Sequence, residues 1–368
     1  MNRRKLFVAA GLLAPARALA ASAASTAAAS GRPLPVKMKV GCQQGPTTEE
    51  LLQFFARHSV RNICGSFGDR PKGGPLTVEE LEKLRDQCSR HNISLDLVRL
   101  HFLRPRGVDS GARSAIVLGK SPERDRDIEE IQNTIRSCAQ AKIPGLTYNL
   151  TALGVLRTDP VVGRGGATFT AWRLAQAGDR AKQLTAAGRL PADAYWERIT
   201  YFLERIVPVA NEHKVRIACH PQDPSVPPGF RGIDAVLGSV AGLKRFVSIA
   251  ESPYHGLNFC QGTVSEMLAD PAREIFDVIR YFGSRKKIFN VHFRNIKGRR
   301  DDFQETFPDE GDIDFVKAIK VYRDVGYEHM LMPDHAPTHP DDPNKRQAFA
   351  FCYGYIRALI QATAAANA

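Results

Sequence analysis

Short apolar runs alternate with longer amphipathic segments from about residue 36 to the end of the chain, and this alternation limits the available architectures more than any single residue does. Repeated strand–helix units lay successive strands parallel, because the returning helix brings the chain back to the starting edge while covering one face of the sheet. Eight runs read as strands: Met38 to Cys42, Asn62 to Phe67, Leu95 to Leu100, Gly145 to Leu150, Arg216 to His220, Leu257 to Cys260, Ile288 to His292 and His329 to Pro333. Between them Thr47 with Glu50, and Thr77 with Glu80, read as capping boxes, and Ser121-Pro122 puts proline at a first helical position. Later helices are expected over Ala194 to Lys214, Asp234 to Ala250, Arg273 to Ser284, Asp314 to Val325 and Asn344 to Ala364.

Eight such units predict an α/β fold closed as a single (β/α)8 barrel, whose chemistry sits where strands end and βα loops begin. An open doubly wound sheet competes, but it ordinarily carries a glycine-rich phosphate turn after its first strand, and Gly41-Cys42-Gln43-Gln44-Gly45 lacks that spacing. Two connections, Thr151 to Asp193 and Lys297 to Gly311, are too long for simple links and read as lid or binding loops.

The first residues, Met-Asn-Arg-Arg-Lys-Leu-Phe followed by a mildly apolar stretch, read as a twin-arginine export signal, with Ala18-Leu19-Ala20 as a cleavage site. Pro15 and Arg17 interrupt the run, so no stable membrane insertion is expected. Residues 1–35 thus read as signal plus Ala/Ser-rich tether, residues 36–368 as a catalytic barrel, and the location as periplasmic.

The net charge of +12 falls to +8 once Arg3, Arg4, Lys5 and Arg17 of the leader are removed, an excess that suits small acidic substrates as well as nucleic acid. Seven cysteines, at 42, 64, 88, 138, 219, 260 and 352, are odd in number, widely scattered and contain no CxxC, so neither a disulfide framework nor a zinc ribbon is indicated.

The ends of the last four strands carry His220, Cys260, His292 and Asp334. Residues able to bind metal make up about 15% of the chain, so four successive strand ends rarely all carry one by chance. Neighbouring parallel strands converge at the barrel mouth, so two imidazoles, a thiolate and a carboxylate can share one divalent cation and leave it open to substrate. The set is too soft for a Mg2+ or Ca2+ cage and suits Zn2+, Mn2+, Fe2+ or Co2+. It requires the four side chains to meet within about a nanometre.

From Lys37 to about Ala358 the chain resembles the mannonate dehydratase family, xylose-isomerase-like TIM barrels that remove water from D-mannonate to give 2-keto-3-deoxy-D-gluconate. The resemblance rests on His292-Phe293-Arg294-Asn295-Ile296-Lys297-Gly298, Asp301-Asp302-Phe303 and Phe307-Pro308-Asp309-Glu310-Gly311-Asp312-Ile313-Asp314, with Tyr148-Asn149 and Arg157-Thr158-Asp159 in support. It implies that His220, Cys260, His292 and Asp334 are the ligand set, that the metal is Mn2+, and that the protein forms a homo-oligomer. The pattern departs from the family at Cys42, at Arg99 to His101, where an acidic residue is usual, and at Leu156, where Trp is usual; the substrate pocket is therefore expected to differ. The segment after His335 lacks the family's Pro-Gly-Tyr, so no catalytic tyrosine carries over there.

Catalytic roles are expected for His335, beside Asp334 and titrating near neutrality, for Arg294 as a bidentate clamp on a substrate carboxylate, and for Tyr148 as a proton donor; Tyr353 and Tyr355 are further donor candidates. Arg157, Lys297 and Glu310 are expected to bind sugar hydroxyls. Three other readings compete: a metal-dependent sugar isomerase or epimerase on the same barrel, a periplasmic sugar-acid binder without turnover, and a DNA-repair nuclease. The last is disfavoured because such enzymes need a Glu-rich multi-metal site; no nucleic-acid partner is expected.

Overall fold

The computed structural model describes residues 33–68 and 73–366; the export-signal reading lies outside them. In chain order the strands are β1 (Lys39–Cys42), β2 (Asn62–Gly65), β3 (Ser94–Arg99), β4 (Gly145–Asn149), β5 (Thr158–Val162), β6 (Thr168–Arg173), β7 (Arg216–His220), β8 (His255–Cys260), β9 (Ile288–His292), β10 (Ile296–Arg299), β11 (Asp302–Glu305) and β12 (Met330–Met332). Eight of them, β1, β2, β3, β4, β7, β8, β9 and β12, close in that order into a barrel whose pairs are all parallel. These are the eight strands read from the sequence.

The helices are α1 (Glu49–Arg57), α2 (Val78–Arg90), α3 (Ala115–Leu118), α4 (Glu123–Gln140), α5 (Ala192–His213), α6 (Val240–Ser248), α7 (Gln261–Ser265), α8 (Pro271–Ser284), α9 (Phe315–Asp324) and α10 (Arg346–Ala365). The Thr77–Glu80 capping box forms as expected. That of Thr47 and Glu50 does not: Thr48 caps α1 by accepting from the Leu51 N–H, while the Thr47 hydroxyl accepts from Ser66 N at 3.0 Å and ties α1 to the end of β2. Pro122 stands at the cap position before Glu123, one residue earlier than expected. α6 starts six residues later than Asp234, because that carboxylate is committed to Ala192 N and Gly229 N at the head of α5; Ser239 caps α6 instead.

Strand alternation sorts the side chains. Inside the barrel Cys64, Leu97, Met330 and Met332 pack as a closed apolar floor. Gly41 is needed there, since a Cβ would stand 2.7 Å from the Met330 Cβ. Outward-facing residues join the helix layer, where Phe55, Phe202, Phe246 and Phe282 are fully buried; truncating any one to Ala is expected to cost about 3–5 kcal/mol.

The two long connections are not irregular loops. Residues from both pair into a separate four-stranded antiparallel sheet, in the order β10-β11-β6-β5. β6 pairs with β11 through Phe303 opposite Trp172 and Gln304 opposite Ala171, so one connection is stitched to the other across the barrel mouth. No helix among the described residues is long and apolar enough to cross a membrane.

Candidate active site

Along β7, β8 and β9 the same alternation carries the inward face from Ala218 to His220, from Asn258 to Cys260 and from Asn290 to His292, while Asp334 follows two residues after Met332, just past the end of β12. One ligand atom from each of His220, Cys260, His292 and Asp334 lies within 4.8 Å of all the others. The structure therefore brings these four together, on four adjacent strands of the ring.

Their surroundings fit a divalent cation. His220 Nδ1 donates to the Pro221 carbonyl at 2.7 Å, which leaves the Nε2 lone pair free, and burial depresses its pKa so that the ring is neutral. His292 Nε2 donates to Gln43 Oε1 at 2.9 Å. Its Nδ1 is buried, has no hydrogen bond and stands 3.2 Å from Asp334 Oδ2, as expected of two donors sharing one acceptor. Burial alone would raise the Cys260 thiol, but the Arg294 guanidinium and His292 outweigh it and lower the pKa, favouring the thiolate. Asp334 is likewise held well below the usual carboxylate range, against the cost of burial, by His292 and His335. Gln43 Nε2 donates to Asp334 Oδ1 at 2.6 Å, so one amide from the end of β1 fixes two members of the cluster.

Beside the cluster lies a second group, Asp223, Glu305 and His335, whose ligand atoms also lie within 4.8 Å of one another. Here the cations are guanidiniums. Arg157 grips both oxygens of Asp223 and pairs with Glu305. Arg294, 3% exposed, reaches Glu266 Oε1 at 2.7 Å, Asp223 Oδ2 at 3.1 Å and Thr263 Oγ1 at 3.0 Å. Gly262 makes room for it, since a Cβ would stand 2.5 Å from the Arg294 Cγ. Glu266 is wholly buried, and that burial pushes its pKa well up despite Arg294, biasing it to the neutral acid.

His335 faces the cavity with Asp334 because β12 has already ended at Met332, so alternation no longer separates neighbours. Its Nδ1 lies 2.7 Å from Glu305 Oε1 and its Nε2 3.6 Å from Asp334 Oδ2. Burial works against its charge, but the two carboxylates prevail and raise its pKa to about 9.

The cavity over the cluster measures about 360 Å3, and its wall includes Gln43, Gln44, Arg99, Thr147, Asn149, His220, Asn258, His292, Asp334 and His335. Seven residues expected in catalytic or sugar-binding roles do not line it. Tyr148 pairs in register with Cys219, the outward neighbour of His220, and so faces the helix layer, packing edge-on against Phe202 at 5.6 Å; it is no proton donor to this cavity. Arg294 is locked to acids beneath the wall, and Arg157 is committed to Asp223 and Glu305, so neither fork is open to a substrate carboxylate. Lys297 is exposed on the antiparallel sheet beside a different groove, and Glu310 meets Arg164 Nε at 3.6 Å away from the cavity. Tyr353 donates to Cys42 Sγ and Gln44 Oε1, and Tyr355 stacks on Phe351; neither lines the cavity. Gln43, Asp223, Glu266 and Glu305 were not assigned from the sequence; Asp223, three residues past His220, was the one signalled by position.

A closed parallel barrel with a His/Cys/Asp cluster at its mouth defines the chain as a xylose-isomerase-like barrel protein. Solved structures agree on the fold: the mannonate dehydratase of Streptococcus suis superposes with a TM-score of 0.74 at 23% identity, covering 89% of this chain and 95% of that one, and a D-tagatose 3-epimerase-like protein with 0.54 at 16%, covering 90% and 100%. The family model described as D-mannonate dehydratase (UxuA) matches residues 167–365, more than half of the chain, and the chain belongs to that family. Relatives include mannonate dehydratase 2 of Halalkalibacterium halodurans, 28% identical over 79% of this chain and 88% of that protein, and the mannonate dehydratase of Thermotoga petrophila, 27% identical over 78% and 85%.

Proposed function

We propose that the chain is a metal-dependent hydro-lyase that removes water from D-mannonate to give 2-keto-3-deoxy-D-gluconate, and that His220, Cys260, His292 and Asp334 hold its cation. The observation that carries this reading is the convergence of those four donors within 4.8 Å, three of them in the wall of a cavity sized for one small molecule. Mn2+ is the proposed ion, and the donor set also accommodates Fe2+, Co2+ or Zn2+. A divalent cation held by those four residues would supply Lewis acidity, easing the build-up of negative charge as the C2 proton leaves. His335, its Nδ1 held by Glu305, takes up the C2 proton in its neutral form and returns it to the departing C3 hydroxyl, which leaves as water. Arg157 and Arg294 act indirectly, by fixing Asp223 and Glu305 against their mutual repulsion. Gln44, Thr147 and Asn149 offer hydrogen bonds to sugar hydroxyls.

The test is incubation of the metal-loaded protein with D-mannonate and detection of a keto-deoxy acid by periodate–thiobarbiturate colour, with the ion identified by elemental analysis. An isomeric sugar acid without colour would favour an isomerase, and unchanged ligand with measurable binding would favour a binder. We also propose export by the twin-arginine route, which carries folded protein and lets the ion be loaded where Cys260 is reduced. Replacing the first twenty residues should abolish export and leave activity intact. Light scattering tests the homo-oligomer that the resemblance implies.

A further inference from the structure

The cavity has two chemically unlike ends. At one stand the metal-ligand candidates and the acids Asp223 and Asp334. In the ring of eight strands, β3 is diametrically opposite β9, so Arg99, the last residue of β3, faces His292 across the opening. Its direction follows from alternation: Leu97, two residues earlier, belongs to the barrel floor, and Thr147, its register partner on β4, lines the same cavity.

Arg99 is the only guanidinium or ammonium group among the described residues of the cavity wall, and among the described residues no hydrogen bond or ion pair engages it. This separates it from Arg157 and Arg294, each of which is tied to two or more carboxylates. The acid on its own strand, Asp96, is turned to the other end of the barrel, where it accepts from Asn62 and Ser94 and lies 3.8 Å from Lys39. Its register partner Thr147 and the wall residues Asn149 and Gln44 are neutral. A second cavity of about 300 Å3 shares Asn149 with the first and is lined by the exposed Arg106. A partly buried guanidinium in a fixed fork, left open toward a ligand cavity, matches a planar or tetrahedral oxyanion.

We propose that Arg99 is a specificity-determining residue, and that besides D-mannonate this chain accepts, and prefers, sugar acids carrying a second anionic group, a carboxylate or a phosphate ester, at the end remote from the carbons that lose water. The inference rests on the sugar-acid reading above and sets the first carboxylate at the cluster. Such a dianion would bridge the mouth, with one end at the cluster and the other at Arg99.

The test uses the metal-loaded full-length protein, with D-mannonate, the corresponding six-carbon dicarboxylic acid and D-mannonate 6-phosphate compared by kcat/KM. Wild-type protein is expected to prefer at least one dianion over D-mannonate by about 10- to 100-fold, chiefly through KM, as a charge-assisted fork contact would give. The dicarboxylate and phosphate arms tell the two sources of the oxyanion apart. Arg99→Gln should shrink the dianion-to-monoanion ratio toward one, and Arg99→Lys should keep part of it, since charge survives and the fork does not. Wild-type protein that handles D-mannonate as well as both dianions overturns the proposal, and so does Arg99→Gln protein that keeps the preference. If none of the three acids yields a keto-deoxy product, it is the dehydration reading that fails. Calorimetric titration with the same acids then decides on Arg99: tighter dianion binding that Arg99→Gln abolishes sustains it, and equal binding of mono- and dianions removes it. Metal content equal to wild type shows that a variant has folded around its cluster; should Arg99→Gln lose its metal, Arg99→Lys decides alone, with an unchanged ratio counting against the fork.

Discussion

Gln43 gives the sharpest handle on how the cluster is held. Its single amide donates to Asp334 Oδ1 at 2.6 Å and accepts from His292 Nε2 at 2.9 Å, so replacing it by Leu frees two of the four proposed ligands at once. A hydrogen bond to a charged group contributes about 1.5–3 kcal/mol and a neutral one about 1 kcal/mol. Gln43 is only half-buried, so water takes over part of both bonds in the variant. The expected net loss is therefore about 1.4–2.7 kcal/mol of metal affinity, or 10- to 100-fold in Kd, the range typical of partners that orient a ligand without touching the metal. The assay is competition with a fluorescent chelator for Mn2+ and for Zn2+, using purified metal-free Gln43→Leu and wild-type protein at one pH. At saturating metal, turnover should recover much more than affinity does. A Kd within about threefold of wild type for both ions would refute the idea that this amide orients the ligands.

Arg294→Met should lose about 3–5 kcal/mol in urea unfolding, because it leaves Asp223 and Glu305 buried without one of their two guanidiniums; a loss below about 1 kcal/mol would mean that the acids take up protons freely. Tyr148→Phe should keep kcat/KM within about twofold and should not destabilise, since the hydroxyl it removes is buried and has no partner; lost turnover would return this tyrosine to the chemistry. His255 is wholly buried with its pKa lowered to about 4, chiefly by burial. Between about pH 6.5 and about pH 4 the unfolded chain binds a proton there that the folded chain does not, so stability should fall as pH falls through this window, by roughly 3 kcal/mol from this residue. Urea unfolding of His255→Leu should have a flatter slope over the same range, and an unchanged slope would assign the acid sensitivity elsewhere.

Much of this molecule is written locally. Apolar runs of five or six residues and the helical segments between them suffice for the barrel, because each unit is decided by its own periodicity. The four proposed ligands were legible for the same reason, three being the last residue of a strand and Asp334 standing just past the end of another. What failed depended on register or on distant partners. Tyr148 and Asn149 are equally good candidates by position, and only the pairing of Tyr148 with Cys219 reveals which one faces inward. Arg294 does point toward the cluster, but nothing near it in sequence says that Asp223 and Glu266 will occupy its fork. Glu305 reaches the site only because β11 pairs with β6, more than a hundred residues earlier, an association that no local pattern announces.

That pairing has a consequence for anyone reshaping the enzyme. Thr170 on β6 donates to Glu305 on β11, and Glu305 in turn touches Arg157 and His335. Since successive side chains on a strand face opposite ways, a slip of one residue between the two segments would present Gln304 where the carboxylate belongs. The two insertions therefore behave as halves of one clasp. Swapping either alone into a related barrel should scramble the acid beside His335, whereas transplanting both together should carry it across intact.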